Sequence, residues 1–235
     1  MVKSPSILYR YSPNHGTRPS VPVQYVVMHY TGMQSGADAL AWLCNPDSKV
    51  SAHYCVEEDG RVYCVVEEDR RAWHAGVSYW AGCENVNDVS IGIEVVNPGH
   101  EHGYRPFPSA QMEAVRDLTR DILLRHALPA SAVVAHSDIA PLRKDDPGEL
   151  FPWAWLADYG VGIWSEAKED GEVRLQGDAL AEALHGFGYA KPSSAEEMHK
   201  TVLAFQRHWR PESLSGVWDA ECEARLTDLQ RLRGE

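Results

Sequence analysis

In the stretch Ala135-His136-Ser137-Asp138-Ile139-Ala140-Pro141-Leu142-Arg143-Lys144-Asp145-Asp146-Pro147-Gly148, a histidine closes an apolar run and a carboxylate, Asp146, follows after a short loop, with Lys144 between them. A second apolar run, Tyr25-Val26-Val27-Met28-His29-Tyr30-Thr31, carries His29 near its end. Two imidazoles and one carboxylate are three ligands of the borderline type that zinc accepts, and three protein ligands leave the fourth tetrahedral position to water. The expectation is one Zn2+ per chain, held by His29, His136 and Asp146, and the chemistry that follows is hydrolysis. Any one of the 11 histidines would read alone as an ordinary side chain. His136 with Asp146 and a facing His29 does not.

A third run, Val89-Ser90-Ile91-Gly92-Ile93-Glu94-Val95-Val96, holds a lone glutamate among apolar neighbours. Buried without a partner, that carboxylate would be costly. Turned toward a metal site, Glu94 suits a general base whose pKa is set by burial and by the ion. Lys144, flanked by Arg143 and Asp145, reads alone as a solvated charge; between two metal ligands it can stabilise an oxyanion. Trp73-His74-Ala75-Gly76 reads as a cleft wall, with the Trp73 face for a sugar or peptide and the His74 imidazole near the metal. His53 fits either a satisfied core histidine or a cleft residue. Asn85 and Asn87 either offer amide contacts to a polar substrate or shape the loop before the third run.

These side chains need rigid elements to bring them together. Tyr25–Thr31 and Val89–Val96 have the short, β-rich, bounded pattern of buried strands, and 132–135 is a last short strand leading to His136. A short helix is predicted over 38–43. Ser51–Val56 and Arg61–Val66 form a hairpin; with Asp59-Gly60 as a two-residue turn, Cys55 faces Cys64 across it. Ser109 suits a helix N-cap, and Met112, Val115, Leu118, Thr119 and Ile122 recur at helical spacing to about His126. Trp153 and Trp155 read as packing residues at the start of a helix. The fold class is α/β, a central mixed sheet flanked by helices, with a small C-terminal three-helix domain. The polar stretch Ser165–Gly171 reads as a linker. Beyond it Leu180, Ala183, Leu184 and Phe187 share a helical face that Gly188 can end, Ser194 with Glu197 suits a capping box, and Asp219 can cap a third helix. The boundaries are 1–164, a linker at 165–172, and 173–235.

Composition narrows the function classes. The 235 residues suffice for one good-sized core plus a small module. The balance of 22 basic against 34 acidic residues, −12, argues against nucleic acid and anionic membranes as partners. An anionic substrate would need local Lys or Arg to overcome that field. No apolar stretch approaches the roughly 18 residues of a membrane span, and Met1–Ser6 lacks the apolar core of a secretory signal. The five cysteines show no C-x-x-C pair and tip the expected compartment toward the cytoplasm, the periplasm being the alternative had a signal been removed.

The residues resemble zinc-dependent N-acetylmuramoyl-L-alanine amidases of the second type, related to peptidoglycan recognition proteins. The matching motifs are His29-Tyr30-Thr31, Ser51-Ala52-His53-Tyr54, Ala72-Trp73-His74-Ala75-Gly76, Asn87-Asp88-Val89-Ser90-Ile91-Gly92-Ile93-Glu94, and His136 to Gly148. Leu150-Phe151-Pro152-Trp153 and Gly160-Val161-Gly162-Ile163-Trp164 look like the subgroup containing periplasmic lipoprotein amidases. The resemblance implies a five- to six-stranded mixed sheet, zinc ligands at His29, His136 and Asp146, and Glu94 with Lys144 as the catalytic pair. It implies a peptidoglycan or muropeptide substrate, cut between N-acetylmuramic acid, or its 1,6-anhydro form, and L-alanine, as in cell-wall recycling. Ala52 stands where animal and phage relatives have a tyrosine, whose role Glu94 would take over. The tail, through Leu175-Gln176, Gly188-Tyr189, Phe205-Gln206 and Gly216-Val217-Trp218-Asp219, resembles three-helix peptidoglycan-binding domains; Cys222 and Arg210-Pro211-Glu212-Ser213 depart from that pattern, and a packing appendage is the other reading. The competing function is a recognition protein that binds muropeptides without cutting them. Its mark would be a missing metal ligand, and here every position is filled. A metallopeptidase cutting cross-links shares the same metal logic.

Overall fold

The computed structural model describes residues 6–169 and 171–234. Met1–Pro5 of the N-terminal stretch and Asp170 of the polar linker lie outside the described residues. In chain order the elements are β1 (Ile7–Tyr9), β2 (His15–Thr17), β3 (Tyr25–Tyr30), α1 (Gly36–Leu43), β4 (Tyr54–Val56), β5 (Val62–Cys64), β6 (Arg70–Ala72), β7 (Ser90–Val95), α2 (Ser109–Arg125), β8 (Val133–Ala135), α3 (His136–Ile139), α4 (Trp153–Ala157), α5 (Gly177–Phe187), α6 (Ala195–Trp209) and α7 (Ala220–Arg233). Six strands form one mixed sheet in the order β1-β5-β4-β7-β3-β8, and β2 pairs with β6 separately. The sequence-based expectation of a mixed sheet with flanking helices and three C-terminal helices is met.

Alternation along the central strands sorts their side chains. Val26 and Met28 of β3, Ile91, Ile93 and Val95 of β7, and Val133 and Ala135 of β8 join Met112, Val115, Leu118 and Ile122 of α2 in one apolar cluster. The opposite face carries Val27 and Val134, which share a second cluster with Ile139 and with Leu180, Leu184, Phe187, Phe205 and Trp209 of the C-terminal helices. A third, smaller cluster sets Leu40 and Leu43 of α1 on Cys55, Val65 and Val96. Because β4, β7 and β3 run parallel with Cys55 beside Glu94 and Glu94 beside His29, these three residues form a row across one face of the sheet. β8 pairs with β3 through Met28 and Ala135, so His136, the next residue, emerges beside His29. The carboxyl ends of parallel strands thus deliver the chemically active side chains to one edge, as open sheets commonly do.

Two local expectations are corrected. Cys55 does not face Cys64: the register pairs Tyr54 with Cys64 and Cys55 with Tyr63. Glu57 N–H donates to Arg61 O at 2.9 Å and Gly60 N–H to Glu57 O at 2.9 Å, so the loop holds three residues, with Gly60 at φ 87°, a conformation glycine adopts without strain. One extra loop residue shifts the register by one and sends the two thiols to opposite faces. The α2 helix begins at Ser109 itself, with Pro108 at the N-cap position and no side-chain cap. Ser194 and Asp219 do cap α6 and α7, accepting from Glu197 N–H and Cys222 N–H, and Gly188 closes α5.

Glu68 ties the hairpin side of the sheet to the end of α2. Its carboxylate accepts from Tyr54 Oη at 2.7 Å, Arg125 Nη1 and Nη2 at 2.5 and 3.0 Å, and His126 Nε2 at 2.7 Å. Burial alone would raise its pKa, but Arg125, His126 and Tyr54 hold it down at about 2. A depressed carboxylate pKa contributes stability that is present above the ordinary value of 4.5 and lost as pH falls toward about 2. Glu68→Gln is therefore expected to cost about 2–3 kcal/mol at neutral pH. In urea melts the gap to wild type should close below about pH 3; an equal gap at pH 7 and pH 3 would rule out this account.

Candidate metal centre and active site

His29 Nδ1, His136 Nδ1 and Asp146 Oδ2 form a nearly equilateral triangle with edges of 2.9, 3.0 and 2.9 Å. All three side chains are buried. Donors about 2.0 Å from a tetrahedral ion stand about 3.3 Å apart, so the trio fits a divalent cation with slight relaxation. The donor set, two nitrogens and one carboxylate oxygen, is of the type zinc takes. Burial and the neighbouring His136 lower the pKa of His29 to about 4, so its ring is neutral, as a ligand must be.

The remaining ring nitrogens fix which atom faces the trio. His29 Nε2–H donates to His74 Nδ1 at 3.0 Å. His74 Nε2–H donates to Ser90 Oγ at 3.2 Å, whose hydroxyl donates to Val86 O at 2.6 Å. His136 Nε2–H donates to Ala75 O at 3.2 Å. Each of the two imidazoles thus has its outward nitrogen protonated and its Nδ1 lone pair free, the arrangement that metal-binding histidines take. Asn87 Oδ1 accepts from His74 N–H at 3.0 Å and Ala75 N–H at 2.9 Å, so Asn87 holds the segment that orients the His29 and His136 rings. Gly92 makes room for it: a Cβ there would overlap the His74 ring.

Glu94 is partly open to the cleft, yet its Oε2 is buried and has no hydrogen-bond partner among the described residues. Burial, aided by the charge on Asp146 and opposed by Lys144, pushes its pKa well above the usual range. The cleft has a volume of about 400 Å3, and Tyr30, Trp42, Trp73, Glu94, Arg143 and Lys144 are among its walls. His29, His136, Asp146, Glu94, Lys144, Trp73 and His74 therefore meet in one cavity. His53, Asn85 and Asn87 do not reach its wall. His53 is fully buried, accepts from Gly92 N–H at 2.9 Å and donates toward Arg70 O at 3.2 Å. Asn85 is exposed and bonds Arg71 and Asp88.

Arg143 went unnoticed in the sequence, being read only as a flank of Lys144. Its guanidinium donates to Ala75 O and Val77 O, bracing the carbonyl that receives His136 Nε2–H. His100 was also missed. It lines the cleft, stacks on Tyr104 at 4.3 Å and bonds Tyr30 Oη at 3.0 Å. No periodic signal marks either residue.

Comparison with known proteins decides the family. The family model described as N-acetylmuramoyl-L-alanine amidase matches residues 19–149, more than half of the chain. The chain belongs to that family. It is an amidase of the bond between N-acetylmuramic acid and L-alanine. The amidase is 39% identical over 225 residues to N-acetylmuramoyl-L-alanine amidase AmiD of Escherichia coli K12, covering 86% of this chain and 80% of that protein. It superposes with a TM-score of 0.82 and 36% identity on the solved complex of Escherichia coli AmiD with anhydro-N-acetylmuramic acid-L-Ala-D-gamma-Glu-L-Lys, covering 92% of each chain. AmpDh3 of Pseudomonas aeruginosa in complex with anhydromuramic pentapeptide gives a TM-score of 0.81 at 33% identity, covering 92% of this chain and 95% of that one. Among the described residues no helix of the amidase is long and apolar enough to cross a membrane.

Proposed function

We propose that this amidase is zinc-dependent, with His29, His136 and Asp146 as ligands, Glu94 as general base and Lys144 as oxyanion stabiliser, and that it acts on muropeptides including the 1,6-anhydro form. The observation that carries the reading is a buried oxygen of Glu94, without a hydrogen-bond partner among the described residues, beside a trio of converging donors. Zinc held by His29, His136 and Asp146 would supply Lewis acidity and make water at the site a better nucleophile near neutral pH. Glu94, with its raised proton affinity, takes the proton of the attacking water and returns it to the L-alanine nitrogen as the C–N bond breaks. The Lys144 ammonium balances negative charge developing on the carbonyl oxygen. Arg143 and Lys144 at the cleft also give an anionic peptide stem a local positive field against the overall −12. The complexes of AmiD and AmpDh3 with anhydromuramoyl peptides support the substrate class. On this reading the catalytic unit is 1–164, joined by 165–172 to the helical unit 173–235. The five free thiols support a cytoplasmic site of action, which cell fractionation checks.

Mass spectrometry of products from anhydromuropeptides and from whole sacculi, with and without a chelator, tests the proposal. Release of L-alanine-terminated peptide that stops on chelation is expected. Release indifferent to the chelator, or cuts only between amino acids, would overturn it. The support of His29 by His74 gives a narrower expectation: His74→Phe should weaken zinc binding about 10- to 100-fold, measured by competition with a chromogenic chelator. Unaltered affinity would show that the hydrogen bond to His29 is idle.

A further inference from the structure

The two segments that bring His136 and Asp146 to the site are both held by the C-terminal helices. The α3 helix is four residues long, too short to be stable alone. Its Asp138 is fully buried, a costly placement for a carboxylate unless its oxygens are bonded. Asp138 Oδ2 accepts at 2.7 Å from the N–H of Ala135, the residue before His136. The other partners come from far along the chain: His208 Nδ1 of α6 at 2.7 Å from Oδ2, and Tyr189 Oη, after α5, at 2.9 Å from Oδ1. The His208 ring lies between Trp153 at 3.8 Å and Trp209 at 3.7 Å, so it cannot swing away from Asp138. The preceding residue, Arg207, pairs with Asp145 Oδ1 at 2.8 Å, one residue before the ligand Asp146. Ser137 N–H donates to Asp146 O at 2.9 Å and closes the loop between the two grips.

We propose that His208 and Tyr189 are positioning residues of the amidase, through which the C-terminal helical unit sets the geometry of the metal site. This rests on the reading of His29, His136 and Asp146 as ligands. Consecutive side chains of α6 grasp the α3 turn and the ligand loop, so the tail acts on the metal site without touching metal or substrate. Outer partners of this kind, one step removed from the ligands, tune metal affinity.

The test uses the full chain, zinc alone as the probe, and anhydromuropeptide for kinetics. His208→Phe keeps a ring between the two tryptophans and removes the donor; His208→Asn keeps a donor near the Nδ1 position and removes the stack. Zinc Kd should rise about 10- to 100-fold in His208→Phe, with kcat falling and KM within about twofold of wild type. His208→Asn should melt lower yet bind zinc more tightly than His208→Phe, because affinity follows the hydrogen bond and stability follows the ring. Tyr189→Phe, which removes one hydroxyl, should raise zinc Kd severalfold, and it decides the matter if His208→Phe does not fold. Wild-type Kd and kcat in His208→Phe, or zinc affinity that tracks the melting temperature across the pair, would overturn the proposal while leaving the ligand assignment standing. Failure of the unaltered protein to bind zinc would instead remove the assignment and the proposal with it.

Discussion

Glu94→Ala should leave the chain loaded with zinc while lowering kcat by about 10^2- to 10^4-fold, the span that a positioned proton carrier contributes. The carboxylate sits in a row with Cys55 and His29 across β4, β7 and β3, held by a strand whose other face is sealed in the core, so truncation removes the proton carrier without moving its neighbours. Its Oε2 has no hydrogen-bond partner among the described residues, and deleting an unsatisfied buried polar group stabilises rather than weakens a fold, here by about 1 kcal/mol. Lost turnover together with an unchanged or raised melting temperature is therefore the expected pairing. Zinc stoichiometry and chromatographic measurement of the released peptide check it. Undiminished release of L-alanine-terminated peptide would remove Glu94 from the mechanism.

His136→Ala should behave in the opposite way, losing metal, activity and stability together. His136 is buried and supplies one corner of the donor triangle. Two remaining donors hold zinc poorly, and a ligand that binds only the folded state stabilises it by an amount that grows with its saturation, about 4 kcal/mol at a thousandfold excess over Kd. The variant should forfeit that contribution, so its melting temperature should no longer respond to added zinc, whereas that of the wild type rises by several degrees. Full occupancy in His136→Ala would discredit the ligand set.

Much of this site was legible in the sequence because its residues interrupt strong patterns. His29, Glu94 and His136 are polar side chains within or at the end of apolar strand runs, where burial without a purpose would be costly. The α2 helix was legible for the same reason in reverse, its apolar residues recurring without interruption. The hairpin register was not: whether Gly60 ends a two-residue or a three-residue loop depends on a backbone conformation that the dipeptide Asp59-Gly60 permits in both forms. His53, Asn85 and Asn87 carry the right atoms for substrate contact, but sequence does not tell which side of a loop faces the cleft. Asn87 turns inward to serve the backbone of His74 and Ala75. Asp138, Tyr189 and His208 were least legible. They lie in three separate segments, and His208, next to Arg207, looks like any solvated helix residue until tertiary packing brings Asp138 to it.

Gly92 has an implication for anyone seeking a hardier version of this enzyme. A glycine inside a central strand is a usual target for thermal hardening, since a branched residue there would restrict the unfolded chain and fill the pleat. At this position the missing methyl is the slot in which the His74 imidazole lies, so such a substitution would push on the ring that steers His29. A side chain at this single position would therefore cost both heat tolerance and turnover, and gains in robustness are better sought elsewhere in the sheet.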